Sequence, residues 1–142
     1  MEAIDHLDLV VDDLDRSLAF YRGLLEPLGY DRTREIVGER GERVVYLIRS
    51  AGYGAVSLRE RQSRERSRPY DRYDLGIHHI CFSAGSRGVV DERAAWARES
   101  GATIESGPRE YDYQPGYYAV FLHDPDGIKL EVTHRPRPGG GQ

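Results

Sequence analysis

The chain has 142 residues, 39% hydrophobic and 31% charged, with a net charge of −4 and one cysteine, Cys81. That length and balance describe one globular domain with a real core and exclude a disordered chain. A lone cysteine excludes an intrachain disulfide and a cysteine-based zinc site and fits a reducing, cytoplasmic setting, the acidic start Met1-Glu2-Ala3 lacks the basic opening of a signal peptide, and nothing here recruits nucleic acid or spans a membrane.

His6 to Val11 alternates, apolar at Leu7, Leu9 and Val11, which is a strand pattern. Asp12 or Asp13 can cap the helix that follows. Leu14, Leu18, Tyr21 and Leu25 fall at helical spacing as one buried stripe, ended by Pro27 and Gly29. Strands follow near Tyr30–Val37, Arg43–Ser50 and Gly54–Arg59, punctuated by glycines. The second half opens with a strand at Gly76–Ala84. A helix from about Gly88 to Ser100 comes next, with Ser86 as its cap and Gly101 as its stop. Ala102–Glu105, Tyr117–His123 and Gly127–His134 read as strands. Asp124-Pro125-Asp126-Gly127 is a strong turn signal before the last of them.

The order is βαβββ twice, so the fold class is α+β. His6 and His79 lie 73 residues apart, and so do Gly54 and Gly127. The single domain therefore reads as two modules, residues 3–60 and 76–134. Between them, 61–75 is an arginine-rich run of mixed charge, the pattern of a solvated linker. Residues 135–142 read as a flexible tail.

Alternation sorts the side chains by face. His6, Asp8 and Val10 share one face of the first strand; His79, Cys81 and Ser83 share one face of the fifth; Lys129, Glu131 and Thr133 share one face of the last. A buried face carrying two imidazoles and a carboxylate costs free energy unless it lines a wet cavity or binds something. A lone strand histidine is more often a hydrogen-bonded core or rim residue than a ligand. Equivalent placement of His6 and His79, with Glu131 after a tight turn, points instead to a divalent metal held by nitrogen and oxygen. His78 falls out of register with His6, and His123 and His134 read as surface residues, His134 with scope as a proton relay.

These residues resemble the vicinal oxygen chelate superfamily, which includes glyoxalase I, extradiol dioxygenases and bleomycin-resistance proteins. The resemblance covers about residues 3–134. It rests on Ile4-Asp5-His6-Leu7-Asp8-Leu9-Val10-Val11, Ser17-Leu18-Ala19-Phe20-Tyr21-Arg22, Gly76-Ile77-His78-His79-Ile80-Cys81-Phe82 and Asp124-Pro125-Asp126-Gly127-Ile128-Lys129-Leu130-Glu131. It implies two βαβββ modules forming a curved half-barrel with a metal cup. It also implies a homodimer and one divalent ion (Fe2+, Mn2+, Ni2+ or Zn2+) on His6, His79 and Glu131. Glyoxalase-like members have a fourth ligand in the first module; the 73-residue offset places Leu58 there, with Glu60 two residues on. Phe121 stands ten residues before Glu131, where extradiol enzymes commonly have a tyrosine.

The implied function is a metal-dependent enzyme acting on a small oxygenated metabolite, with dioxygenase-like chemistry ahead of glyoxalase-like lyase or isomerase chemistry. The alternative is a non-catalytic protein that binds a small molecule such as an antibiotic. Tyr46, Arg49, Tyr118 and Phe121 are the candidate substrate-binding residues. The tyrosine-rich run Tyr111–Tyr118 is either a loop over the pocket or packing at the module edge.

Overall fold

A computed structural model of the chain describes residues 4–63 and 69–136. The centre of the expected linker and most of the expected tail lie outside the described residues. The chain forms two compact units divided between residues 69 and 70. Each is an open, mixed four-stranded sheet with one long helix on one face.

The first unit comprises β1 (His6–Val11), α1 (Leu14–Leu25), a 3-10 turn at Glu26–Leu28, β2 (Arg32–Val37), β3 (Arg43–Ile48) and β4 (Ala55–Glu60). The strand order is β1-β4-β3-β2, with β1 and β4 parallel and the other pairs antiparallel. Asp13 caps α1, its side chain accepting from the Arg16 amide at 2.9 Å. The buried stripe is Leu14, Ser17, Tyr21, Leu24 and Leu25, with Leu18 half-buried. Every odd position of β1 from Leu9 and every even position of β4 from Val56 to Leu58 is buried with it. The core thus lies between α1 and one sheet face, which leaves the opposite face to carry polar groups.

The second unit repeats the plan with β5 (Ile80–Ser83), α2 (Arg87–Glu99), β6 (Ile104–Glu110), β7 (Tyr118–His123) and β8 (Lys129–His134), in the order β5-β8-β7-β6. Ser86 caps α2 through the Val89 amide. Val90, Ala94 and Ala97 of α2 are buried, as are Val120, Leu122, Leu130 and Val132 of the sheet. The fifth strand is shorter than its apolar pattern suggests. The sixth runs on to Glu110, past Gly107 and Pro108, because two register shifts let it bend while still pairing with β7. Among the described residues no helix is long and apolar enough to cross a membrane.

The charged run between the modules is tied to the sheets at its ends. Arg61 pairs with Asp12 at 3.0 Å, and Arg72 pairs with Glu105. Glu105 also meets Lys129 at 2.8 Å and His123 at 3.1 Å. Desolvation alone would raise the Glu105 carboxyl, but its bonds to Lys129, Arg72 and His123 overcome that and hold it at about 2.

The turn that delivers β8 is built by one carboxylate. Asp124 is buried, and its Oδ1 accepts from the Asp126 amide at 2.9 Å and the Ile128 amide at 2.8 Å. Gly127 closes the turn at φ 85°, a left-handed conformation that disfavours other residues. Asp124→Ala strands two amides and is expected to lower stability by about 2–3 kcal/mol in a urea titration. A depressed Glu105 carboxyl adds stability above its unfolded value near 4.5 that is lost as pH falls towards 2. Glu105→Gln should therefore flatten the acid limb of the stability–pH profile between about pH 4.5 and 2, by on the order of 1–2 kcal/mol after solvent screening.

Candidate metal centre

In the second unit, strand register decides which side chains meet. β5 and β8 run parallel with Cys81 opposite Glu131, and Glu131 is opposite Phe121 on β7. Leu130 and Val132 turn into the core, so Lys129, Glu131 and Thr133 share the other face. His79 immediately precedes β5. Its Nε2 lies 3.2 Å from Glu131 Oε2, and its ring sits edge-on to Phe121 at 6.3 Å.

The Glu131 side chain is only 3% exposed. Its other oxygen, Oε1, accepts a hydrogen bond from the Tyr117 hydroxyl. Burial, then the bond to Glu131, push that phenol above its ordinary value, so Tyr117 remains a donor. Desolvation, then the Glu131 charge, push the Cys81 thiol up to about 12, which keeps it neutral.

The first unit holds a matching half. His6 lies on β1 with its ring edge-on to Tyr46 at 6.0 Å, as His79 meets Phe121. β1 and β4 pair with Asp8 opposite Ser57, and Ser57 is opposite Tyr46 on β3. Since Asp8 corresponds to Cys81, the residue corresponding to Glu131 is Ser57 and not Leu58. Asp8 and Ser57 are 49 residues apart and Cys81 and Glu131 are 50, so the 73-residue offset of the first strands becomes 74 at the last, and a one-residue slip moves a side chain to the other face. Leu58 is fully buried among the core residues. Glu60 shares the parity of Leu58, and it accepts from the Arg43 amide at 3.3 Å. Ser57 is fully buried, and its Oγ has no hydrogen-bond partner among the described residues.

Both histidines are oriented from the residue before them. His6 Nδ1 is 2.7 Å from Asp5 Oδ1, and His79 Nδ1 is 2.8 Å from His78 Nδ1. The Asp5 carboxylate, outweighing desolvation, raises the His6 value. Desolvation and then the neighbouring His79 lower that of His78, keeping its ring neutral and able to accept. In the neutral tautomer that donates from Nδ1, each ring leaves Nε2 as its open lone pair, the arrangement by which an outer partner orients a ligating imidazole.

That donor chemistry fits a divalent ion. Nitrogen and oxygen ligands at about 2.0–2.2 Å from one ion lie roughly 3.0–3.4 Å from each other at octahedral to tetrahedral angles, and His79 and Glu131 are 3.2 Å apart. Within the second unit they are a pair; no group of three or more His, Cys, Asp or Glu side chains forms among the described residues.

The expected pocket residues divide. Tyr46 and Phe121 stand beside the two histidines. Tyr118 lies on the α2 side, its hydroxyl donating to Asp91 at 2.6 Å and its ring under Arg87. Arg49 lies past the end of β3 with its guanidinium over Tyr30. Neither meets the histidine face. Tyr117, one residue from Tyr118 and of the same parity as Phe121 in the expected strand, is the neighbour missing from the candidate residues; it lies just before β7. Tyr111 bonds Ser106 at 2.5 Å and stacks on Tyr113, and the Tyr111 amide donates to the Tyr117 carbonyl, so the aromatic run is pinned to its own sheet.

The sequence model of the Glyoxalase/Bleomycin resistance protein/Dioxygenase superfamily matches residues 3–132. The chain belongs to this superfamily. Among curated relatives of this superfamily chain, the uncharacterized protein YqjT of Bacillus subtilis is 28% identical over 90% of this chain and 95% of its own. Lactoylglutathione lyase of Salmonella typhimurium is 29% identical over 96% and 95%. A glyoxylase/bleomycin resistance protein/dioxygenase domain from Frankia sp. EAN1pec shares the fold with a TM-score of 0.76 at 24% identity, over 96% of this chain and 99% of that one. A mutant of the fosfomycin resistance protein FosX from Listeria monocytogenes, complexed with Mn(II) and 1S,2S-dihydroxypropylphosphonic acid, shares it with a TM-score of 0.61 at 17% identity, over 93% and 89%.

Tyr117→Phe removes the donor to a buried carboxylate oxygen. It should cost about 1–3 kcal/mol in urea unfolding, whereas Tyr118→Phe, at an exposed hydrogen bond, should cost less than about 1 kcal/mol.

Proposed function

We propose that this superfamily member is a divalent-metal enzyme that acts on two adjacent oxygens of a small metabolite, with His6, His79 and Glu131 as its ligands. The carrying observation is the paired histidines, each held at Nδ1 by the preceding residue with Nε2 left open, one of them 3.2 Å from a buried carboxylate. A divalent ion on these groups supplies Lewis acidity to a chelating pair of substrate oxygens. Tyr117 and His78 then act as outer partners, fixing the Glu131 carboxylate and the His79 ring. Tyr46 and Phe121 offer flat apolar walls beside the two histidines.

Dioxygenase-like chemistry is the favoured branch. Ser57 stands where the first module would need a carboxylate to ligate the ion or remove a carbon-bound proton, and a serine hydroxyl does neither well near neutral pH. Kinship with a lactoylglutathione lyase supports glyoxalase-like isomerisation as the second branch.

Protein purified without chelator should carry, or take up, one Fe2+, Mn2+, Ni2+ or Zn2+ per chain by metal analysis. His79→Ala and Glu131→Ala should abolish uptake with the fold intact by circular dichroism, and His78→Ala should weaken it about 10–100-fold. Oxygen uptake with a panel of catechols tests the first branch, and consumption of the methylglyoxal–glutathione adduct tests the second. A chain that binds none of these ions would overturn the metal reading and return the protein to small-molecule sequestration.

A further inference from the structure

The second unit contains a cavity of about 670 Å3 beyond the candidate ligands, with Ser83, Gln114, Thr133, His134 and Arg135 as its polar wall. It opens at the next step of the same strand pair. Ser83 is opposite Thr133, two residues along from Cys81 and Glu131, and two residues of strand span about 6–7 Å. That is about the width of a six-membered ring carrying a substituent on its far side.

The wall is built to meet negative charge. No acidic side chain lines it. Two of its polar atoms are already used: Thr133 Oγ1 donates to the Tyr118 carbonyl at 3.1 Å, and His134 Nδ1 to the Ala84 carbonyl at 3.1 Å. The Gln114 amide, the Ser83 hydroxyl and the Arg135 guanidinium remain. Arg135 has no ion-pair partner among the described residues. A guanidinium forms two parallel hydrogen bonds to a carboxylate or phosphate, which a neutral group cannot match.

We propose that this cavity seats an anionic group of the substrate, with Arg135 gripping a carboxylate or phosphate oxyanion while the rest of the molecule extends towards Glu131 and His79. The second half of that statement rests on the proposed metal function; the anion seat itself does not. Arg135 is accordingly a specificity-determining residue, and the substrate class is a small oxygenated acid rather than a neutral diol.

Two measurements test it. In metal-free protein, benzoate, phenyl phosphate and neutral benzamide are titrated while amide resonances are followed. The two anions should shift Ser83, Gly85, Gln114 and Arg135, benzamide should not, and Arg135→Gln should weaken the anions at least tenfold while Arg135→Lys restores part of the loss. Whichever anion binds tighter identifies the oxyanion class. In Zn2+-loaded protein, 3,4-dihydroxybenzoate should bind at least tenfold tighter than catechol by calorimetry, and Arg135→Gln should erase that difference while leaving catechol unchanged. Anion shifts that map elsewhere, equal binding of benzamide, or an advantage that survives in Arg135→Gln would overturn the proposal. Failure to load any of Fe2+, Mn2+, Ni2+ and Zn2+ with the anion shifts intact would fell the metal reading and leave the anion seat standing.

Discussion

A carboxylate taken out of water must be met by donors or positive charge, and Glu131 is such a carboxylate. The Tyr117 hydroxyl donates to one oxygen, and His79 Nε2 lies 3.2 Å from the other. Three pieces of local structure bring these groups to Glu131. The Asp124 turn sets where β8 begins, the parallel β5–β8 ladder carries the chain just before β5 alongside it, and the pinned run from Tyr111 to Tyr117 delivers the phenol. A slip of one residue in β8 would turn Glu131 into the apolar core beneath α2.

The first unit shows the same frame without that demand. His6 and Tyr46 repeat the His79–Phe121 contact, but Ser57 replaces the carboxylate. Its charged residues are satisfied elsewhere: Arg59 bridges Asp8 at 3.0 Å and the buried Glu42 at 2.6 Å. Glu42 in turn accepts from the Arg40 amide, and its carboxylate occupies the space a side chain at Gly38 would need. One sheet therefore presents a hydroxyl with no partner among the described residues where the other presents a carboxylate beside an imidazole. Two copies of one scaffold have been given different chemistry by single side chains at one register position.

Much of the fold was legible because it is written in short-range periodicity. Alternation marked β1 to the residue, and Ser86 and Asp13 are helix caps wherever such residues precede an apolar helix. The sixth strand was underestimated because its glycine and proline signal a break that bulged pairing with β7 overrides. His6, His79 and Glu131 were legible from face and repeat together. Tyr117 shares the parity of Phe121 in the strand expected at Tyr117–His123 and was legible to that extent, whereas His78 was not, because it meets His79 from residues just before β5, where strand parity no longer applies.

The sequence by itself determined the two βαβββ modules, the apolar face of each sheet and the histidines on the other, because these follow from periods of 2 and 3.6 residues and from turn chemistry. Only the tertiary structure decided that Ser57, not Leu58, answers Glu131, that Tyr118 turns to α2 while Tyr117 holds the carboxylate, and that Arg135 closes a polar cavity. Those outcomes depend on the register between strands about 50 residues apart in the chain, and a difference of one residue in the chain between them is enough to change them.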